Sequence, residues 1–152
     1  SLRYPPTFIE KKEGPVENSR TKKPFEISYE YVQKFRSERV YNYLEQTFFD
    51  DFENSYDKYL DVFFKHPNDH SSFLKLTCTT QMFSYFLQQF KCNFVNTISF
   101  NRIENAELFK TNTLGQLRAN NIAKSSKSVS DIERSVVDNT IRFIKDFKPK
   151  NC

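Results

Sequence analysis

Thr79-Thr80-Gln81-Met82-Phe83-Ser84-Tyr85-Phe86-Leu87-Gln88-Gln89-Phe90 is the stretch on which the fold turns. Met82, Phe83, Phe86, Leu87 and Phe90 recur at steps of three and four, which places them on one face of a helix. With Phe73, Leu74 and Leu76 just upstream, that face is wider than a surface helix touching one neighbour needs. Residues 70–90 therefore read as a central helix around which the rest of the chain must pack.

Upstream, Val32, Phe35, Val40, Tyr43, Leu44, Phe48, Phe52, Tyr56, Tyr59, Leu60 and Phe63 keep the helical step. This is one long helix, or two that meet near Asn54-Ser55. His66-Pro67 ends it, because proline disfavours a helical residue before it. Asn68-Asp69-His70-Ser71 offers N-cap candidates for the next helix. Downstream, 93–100 reads as a short strand or a loop and 103–110 as a short helix. Residues 111–128, rich in Asn, Ser, Thr and Lys, read as a mobile loop. Ser130-Asp131-Ile132-Glu133 fits a capping box that starts a last helix. On it Ile132, Val136, Val137, Ile141, Ile144 and Phe147 share a face, and Pro149 stops it. The expectation is a mainly α fold, a helical subdomain of about four helices over 28–152. A connecting segment over 1–27, broken by Pro5-Pro6, Gly14-Pro15 and Pro24, precedes it.

The 152 residues suffice for one domain, and 17 Phe with 8 Tyr supply its core area without staples. Two glycines are too few for a phosphate-cradling loop or a turn-rich all-β sandwich. Because the sequence opens on Ser1 rather than Met, it is expected to be a piece of something larger. The net charge of +4 is spread unevenly, with nine Lys/Arg and six acids in 1–39, three and seven in 40–90, and eleven and six in 91–152. This basic–acidic–basic layout suits faces for different partners but is too mild to require nucleic acid. Cys78, Cys92 and Cys152 form no metal or redox spacing, and an odd count without a glycosylation sequon favours a reducing compartment. No apolar run approaches the roughly 18 residues of a membrane helix.

Chemistry-bearing patterns are sparse. His66 and His70 stand four apart, but Pro67 interrupts any shared helical face and no third ligand is in sight, so no metal is expected. Cys78 reads as a small buried residue, and no motif supports Cys92 as a nucleophile with His70. Asp50, Asp51, Glu53 and Asp57 form an acidic face, either a partner contact or simply a solvated surface. Lys22-Lys23-Pro24-Phe25 and Lys34-Phe35-Arg36 interleave cations with rings as nucleic-acid modules do. The same rings, Phe25, Tyr31 and Phe35, also serve as core anchors.

Tyr59-Leu60-Asp61-Val62-Phe63-Phe64, then Pro67-Asn68-Asp69-His70-Ser71-Ser72-Phe73-Leu74, then Thr79-Thr80-Gln81-Met82-Phe83-Ser84-Tyr85-Phe86-Leu87 resembles the downstream part of the DENN module. There a helix ending near Tyr-Leu is followed by Pro-x-Asp-x-x-x-Phe-Leu and by Thr-Gln-Met/Leu-Phe-x-x-Phe-Ile/Leu. The likeness covers about residues 38–90. It implies a helical subdomain closing the C-terminal lobe of a guanine-nucleotide exchange factor for a Rab-family small GTPase. Such a factor acts in membrane traffic by protein contact, without covalent catalysis or cofactor. The implied partners are the GTPase and the rest of the parent module, in the cytoplasm and peripherally on vesicle membranes. Phe73, Leu74, Met82, Phe83, Phe86 and Leu87 are expected in the core, with Asp69 and Gln81 as structural hydrogen-bonders. A non-catalytic helical scaffold or adaptor is the alternative, and a nucleic-acid-binding helical domain a weaker one.

Overall fold

Helix signals in this chain are local and strong, but they are interrupted more often than the apolar periodicity suggests. The computed structural model describes residues 22–113 and 115–149, so Cys152 and residues 1–21 of the expected connecting segment lie outside it. It contains seven α-helices and two small sheets among those residues. The fold is mainly helical, but the expectation of about four helices is corrected.

The stripe over 28–64 is three helices: α1 (Tyr29–Arg36), α2 (Glu38–Phe48) and α3 (Tyr56–Phe64). Ser37 breaks the first from the second with an extended backbone, and its hydroxyl accepts from the Arg39 amide. The last carbonyls of α1 have no intrahelical partner. The hydroxyls of Tyr59 and Tyr56 donate to the Phe35 and Arg36 carbonyls, so α3 caps α1 across the core. Burial raises the Tyr59 phenol well above its ordinary pKa, which keeps it a neutral donor.

The helix expected over 70–90 also begins later. Pro67–Asp69 is a single 3₁₀ turn, and β2 (Leu74–Lys75) is extended before α4 (Thr80–Asn93) starts. Asp69 is exposed in that turn and caps no α-helix. The true N-cap is Thr79, whose hydroxyl accepts from the Met82 amide at 3.1 Å. The His70 and Ser72 side chains hold the intervening chain open. His70 Nδ1 accepts from the Ser72 amide, and the Ser72 hydroxyl donates to Asp61 at 2.7 Å.

After α4, β3 (Val95–Ile98) pairs antiparallel with β1 (Phe25–Ile27), with a register shift between Glu26 and Ile27. Short α5 (Phe100–Asn105) is followed by β4 (Phe109–Lys110), parallel to β2. The helix expected over 103–110 fails because Glu107 takes a left-handed φ of 54° and turns the chain into β4. Within the loop expected over 111–128 lies α6 (Ala119–Ser125), anchored by fully buried Ile122. Ile122 is the one large apolar residue of that helix, too little to show a helical period, and Leu117 just before the helix is buried as well.

The chain closes with α7 (Asp131–Asp146), which has both hydrogen bonds of the Ser130–Glu133 capping box. Val137, Thr140, Ile141 and Ile144 face inward, whereas Ile132 is 79% exposed and Val136 lies at the edge. The apolar face is thus narrower than the sequence reading.

Central α4 packs against α6, α7 and β3. Ser84 is fully buried on it, and its small side chain lets α6 approach closely enough for Oγ to donate to the Asn121 carbonyl at 3.4 Å. Phe25, Phe35, Phe63, Phe90 and Phe94 meet mostly edge to face, with centroids 5.2–6.1 Å apart for Phe35 and its partners. Such aromatic pairs are worth about 0.5–1.5 kcal/mol each beyond their area.

Candidate protein-contact site

The acidic residues singled out in the sequence gather where α2 gives way to α3. Phe49 is buried and bridges to Leu76, and the Asp50 amide donates to the Lys75 carbonyl at 3.0 Å. Asp50 Oδ1 then accepts from the Phe52 and Glu53 amides at 2.8 and 3.3 Å, folding the turn over its own carboxylate. Those amide bonds, the Phe52 one first, hold the Asp50 carboxyl below its ordinary range, with Lys75 Nζ at 3.6 Å helping.

Asn54 anchors the other end. It is buried, donates Nδ2 to the Lys75 carbonyl at 2.9 Å, and accepts at Oδ1 from the Lys75 amide at 3.0 Å. The side-chain amide thereby completes the β2 backbone as another strand would. Ser55 caps α3, and Asp57 sits in its first turn, where a negative charge suits the helix dipole.

Asp50 and Asp57 thus have structural work to do, and Asp51 and Glu53 project into solvent. Between these two stands Phe52, 92% exposed. Helical periodicity places Phe52 on the apolar stripe, and the structure corrects this. The only sequence signal for it is Asp50 two residues earlier, the position from which a carboxylate folds a turn.

The resemblance residues take other positions. Leu74, Met82, Phe83, Phe86 and Leu87 lie in the core. Phe73 is half-buried, with Lys110 Nζ 4.8 Å from its ring centroid, and Gln81 is half-buried in the first turn of α4. None of them shares a site with the acidic turn.

The remaining chemistry-bearing groups are built into the scaffold. His66 and His70 each accept a backbone amide at Nδ1, at 3.0 and 2.9 Å, and both Nε2 atoms are buried without a partner. Among the described residues no three His, Cys, Asp or Glu side chains gather as a metal site. Cys78 is half-buried just before α4 rather than on it, and burial pushes its thiol up to about 12, a poor nucleophile at neutral pH. Cys92 is exposed. Phe25 and Phe35 are buried, and Tyr31 packs edge-on against Phe94.

No family model, curated protein or solved structure matches the chain. No helix among the described residues is long and apolar enough to cross a membrane.

Proposed function

We propose that the chain is the downstream helical part of a DENN-type exchange factor for a Rab-family GTPase, working in membrane traffic by protein contact. One observation supports this reading. The three pieces that carry the resemblance fold as successive parts of one unit: α3, the Pro67–Asp69 turn with β2, and α4 capped by Thr79. Their apolar members meet in a single core, where Tyr59, Phe63, Leu74, Phe83 and Phe86 are buried together. A shared order of motifs is expected to survive when it specifies such a unit. Exchange of this kind needs no nucleophile, because the factor binds best the GTPase conformation that holds nucleotide poorly.

The test is release of a fluorescent GDP analogue from a panel of Rab GTPases, with the intact protein and its Phe83→Asp variant. Acceleration for one or two Rabs, lost in the variant, is the expected result. No acceleration across a broad panel by folded protein overturns the reading. A non-catalytic adaptor is the second reading, favoured by Phe52, since an aromatic held out on a braced turn suits docking without turnover.

A further inference from the structure

At the opposite end of α2 from the acidic turn lies an open cleft of about 640 Å³ between α2 and the last turns of α7. Arg39, Arg142 and Lys148 stand on its walls, all exposed, and Asp146 is the one acid in the lining. Among the described residues none of these three cations has a salt bridge. The floor is aromatic. Tyr43 and Phe143 stack at 4.2 Å and 12°, and Phe147 lies 5.9 Å from Phe143 with Arg39 above it at 6.0 Å.

The cleft is therefore cationic at the rim and apolar below, which selects an anionic segment carrying a large apolar side chain. Tyr43 and Phe143 each spend a ring face on the other, which leaves a poorer platform for stacked bases than a nucleic-acid module displays. The chain itself displays the complementary chemistry in Asp51-Phe52-Glu53, an exposed ring between two exposed acids. That turn is already fixed by Asp50 and Asn54, so docking it would cost little ordering entropy. The eleven-residue α2, roughly 16 Å long, stands between turn and cleft and keeps a molecule from filling its own cleft.

We propose that a second copy of this chain docks its Asp51-Phe52-Glu53 turn into the α2–α7 cleft, with Phe52 on the aromatic floor and the two acids facing Arg39, Arg142 and Lys148. The two surfaces differ, so the contact is heterologous and propagates head to tail into rings or open chains. This inference does not rest on the exchange-factor reading, and its test involves no GTPase.

Sedimentation of the full chain over a concentration series tests it. The mean mass rises with concentration at low salt, and salt weakens the association because the charges sit at an exposed rim. Phe52→Ser and Arg142→Glu each weaken it at least tenfold, while circular dichroism shows both variants folded. Mixed together, the two variants form a dimer that stops at two, because one retains a cleft and the other a turn. A monomer at every concentration overturns the proposal. So does association that survives both substitutions, or an acidic partner peptide that fills the cleft while the chain alone stays monomeric.

Discussion

Phe48 and Phe52 stand four residues apart, one helical turn by periodicity, yet one is fully buried and the other almost fully exposed. Phe48 ends α2 and meets Phe83 and Phe86 at 5.6 and 4.7 Å. Phe52 falls after the helix, where the direction of each side chain is set by hydrogen bonds from Asp50 and Asn54 to a distant strand. Apolar pattern fixes side-chain direction only while the backbone keeps its period. Where polar side chains take over the backbone's hydrogen bonds, the same residue type is turned outward.

The contrast can be broken first on the buried side. Phe83→Asp places an unpaired carboxylate among Phe48, Phe86 and Phe109, and should cost several kcal/mol and unfold the chain. Loss of the cooperative urea transition checks it. Asn54→Leu removes a buried side chain that pairs with both the Lys75 amide and the Lys75 carbonyl, and should cost about 1–3 kcal/mol while freeing the turn. Chemical denaturation reads the first effect, and faster amide exchange at Phe52 and Glu53 reads the second.

Acid sharpens the same division. Burial holds the His70 ring below its ordinary pKa of about 6.5, so the fold favours the neutral form. That contribution is complete above about 6.5 and fades as pH falls below it. Hydrogen bonds from Ser72 and Thr79 hold Asp61 and Glu133 low, so theirs is present above the ordinary carboxylate range and is lost as pH falls through the folded values. Thermal midpoints should therefore drop in two stages on acidification, and His70→Asn should flatten the first. Smallest of all is Phe52→Ser, which should leave stability within about 0.5 kcal/mol, since the ring touches little. A change larger than that in the melting curve would show that Phe52 packs after all.

What the sequence made legible follows from range. Ser130 with Glu133 is a contact between neighbours, and the box is present. The core faces of α3 and α4 obey a local period, so Tyr59, Phe83, Phe86 and Phe90 were readable as internal. The two-residue pairing of β2 with β4 was not, because nothing near Leu74 names Phe109 as its partner. Ile122 is the one large apolar residue of α6, and its burial depends on Ser84 leaving room on another helix. In the candidate site, the four acids were visible as a cluster, but which of them brace the turn depends on Lys75. Phe52 was hidden by the very pattern that found the core.

The pairing of β1 with β3 joins the chain near residue 25 to the chain near residue 98, and amides of Ser28 and Ser99 extend it through the Phe94 and Pro24 carbonyls. Closing so long a loop adds little to the thermodynamic cost, because doubling a loop's length costs only about 0.6 kcal/mol. Its kinetic weight is greater, since contacts remote along the chain slow the search for the folded state. The helices between can assemble from nearer neighbours, whereas Phe25 must reach Phe63 and Phe90 across a long stretch of chain. β1, the first strand among the described residues, is therefore expected to dock after those helices have packed, with Phe25 settling between Phe63 and Phe90.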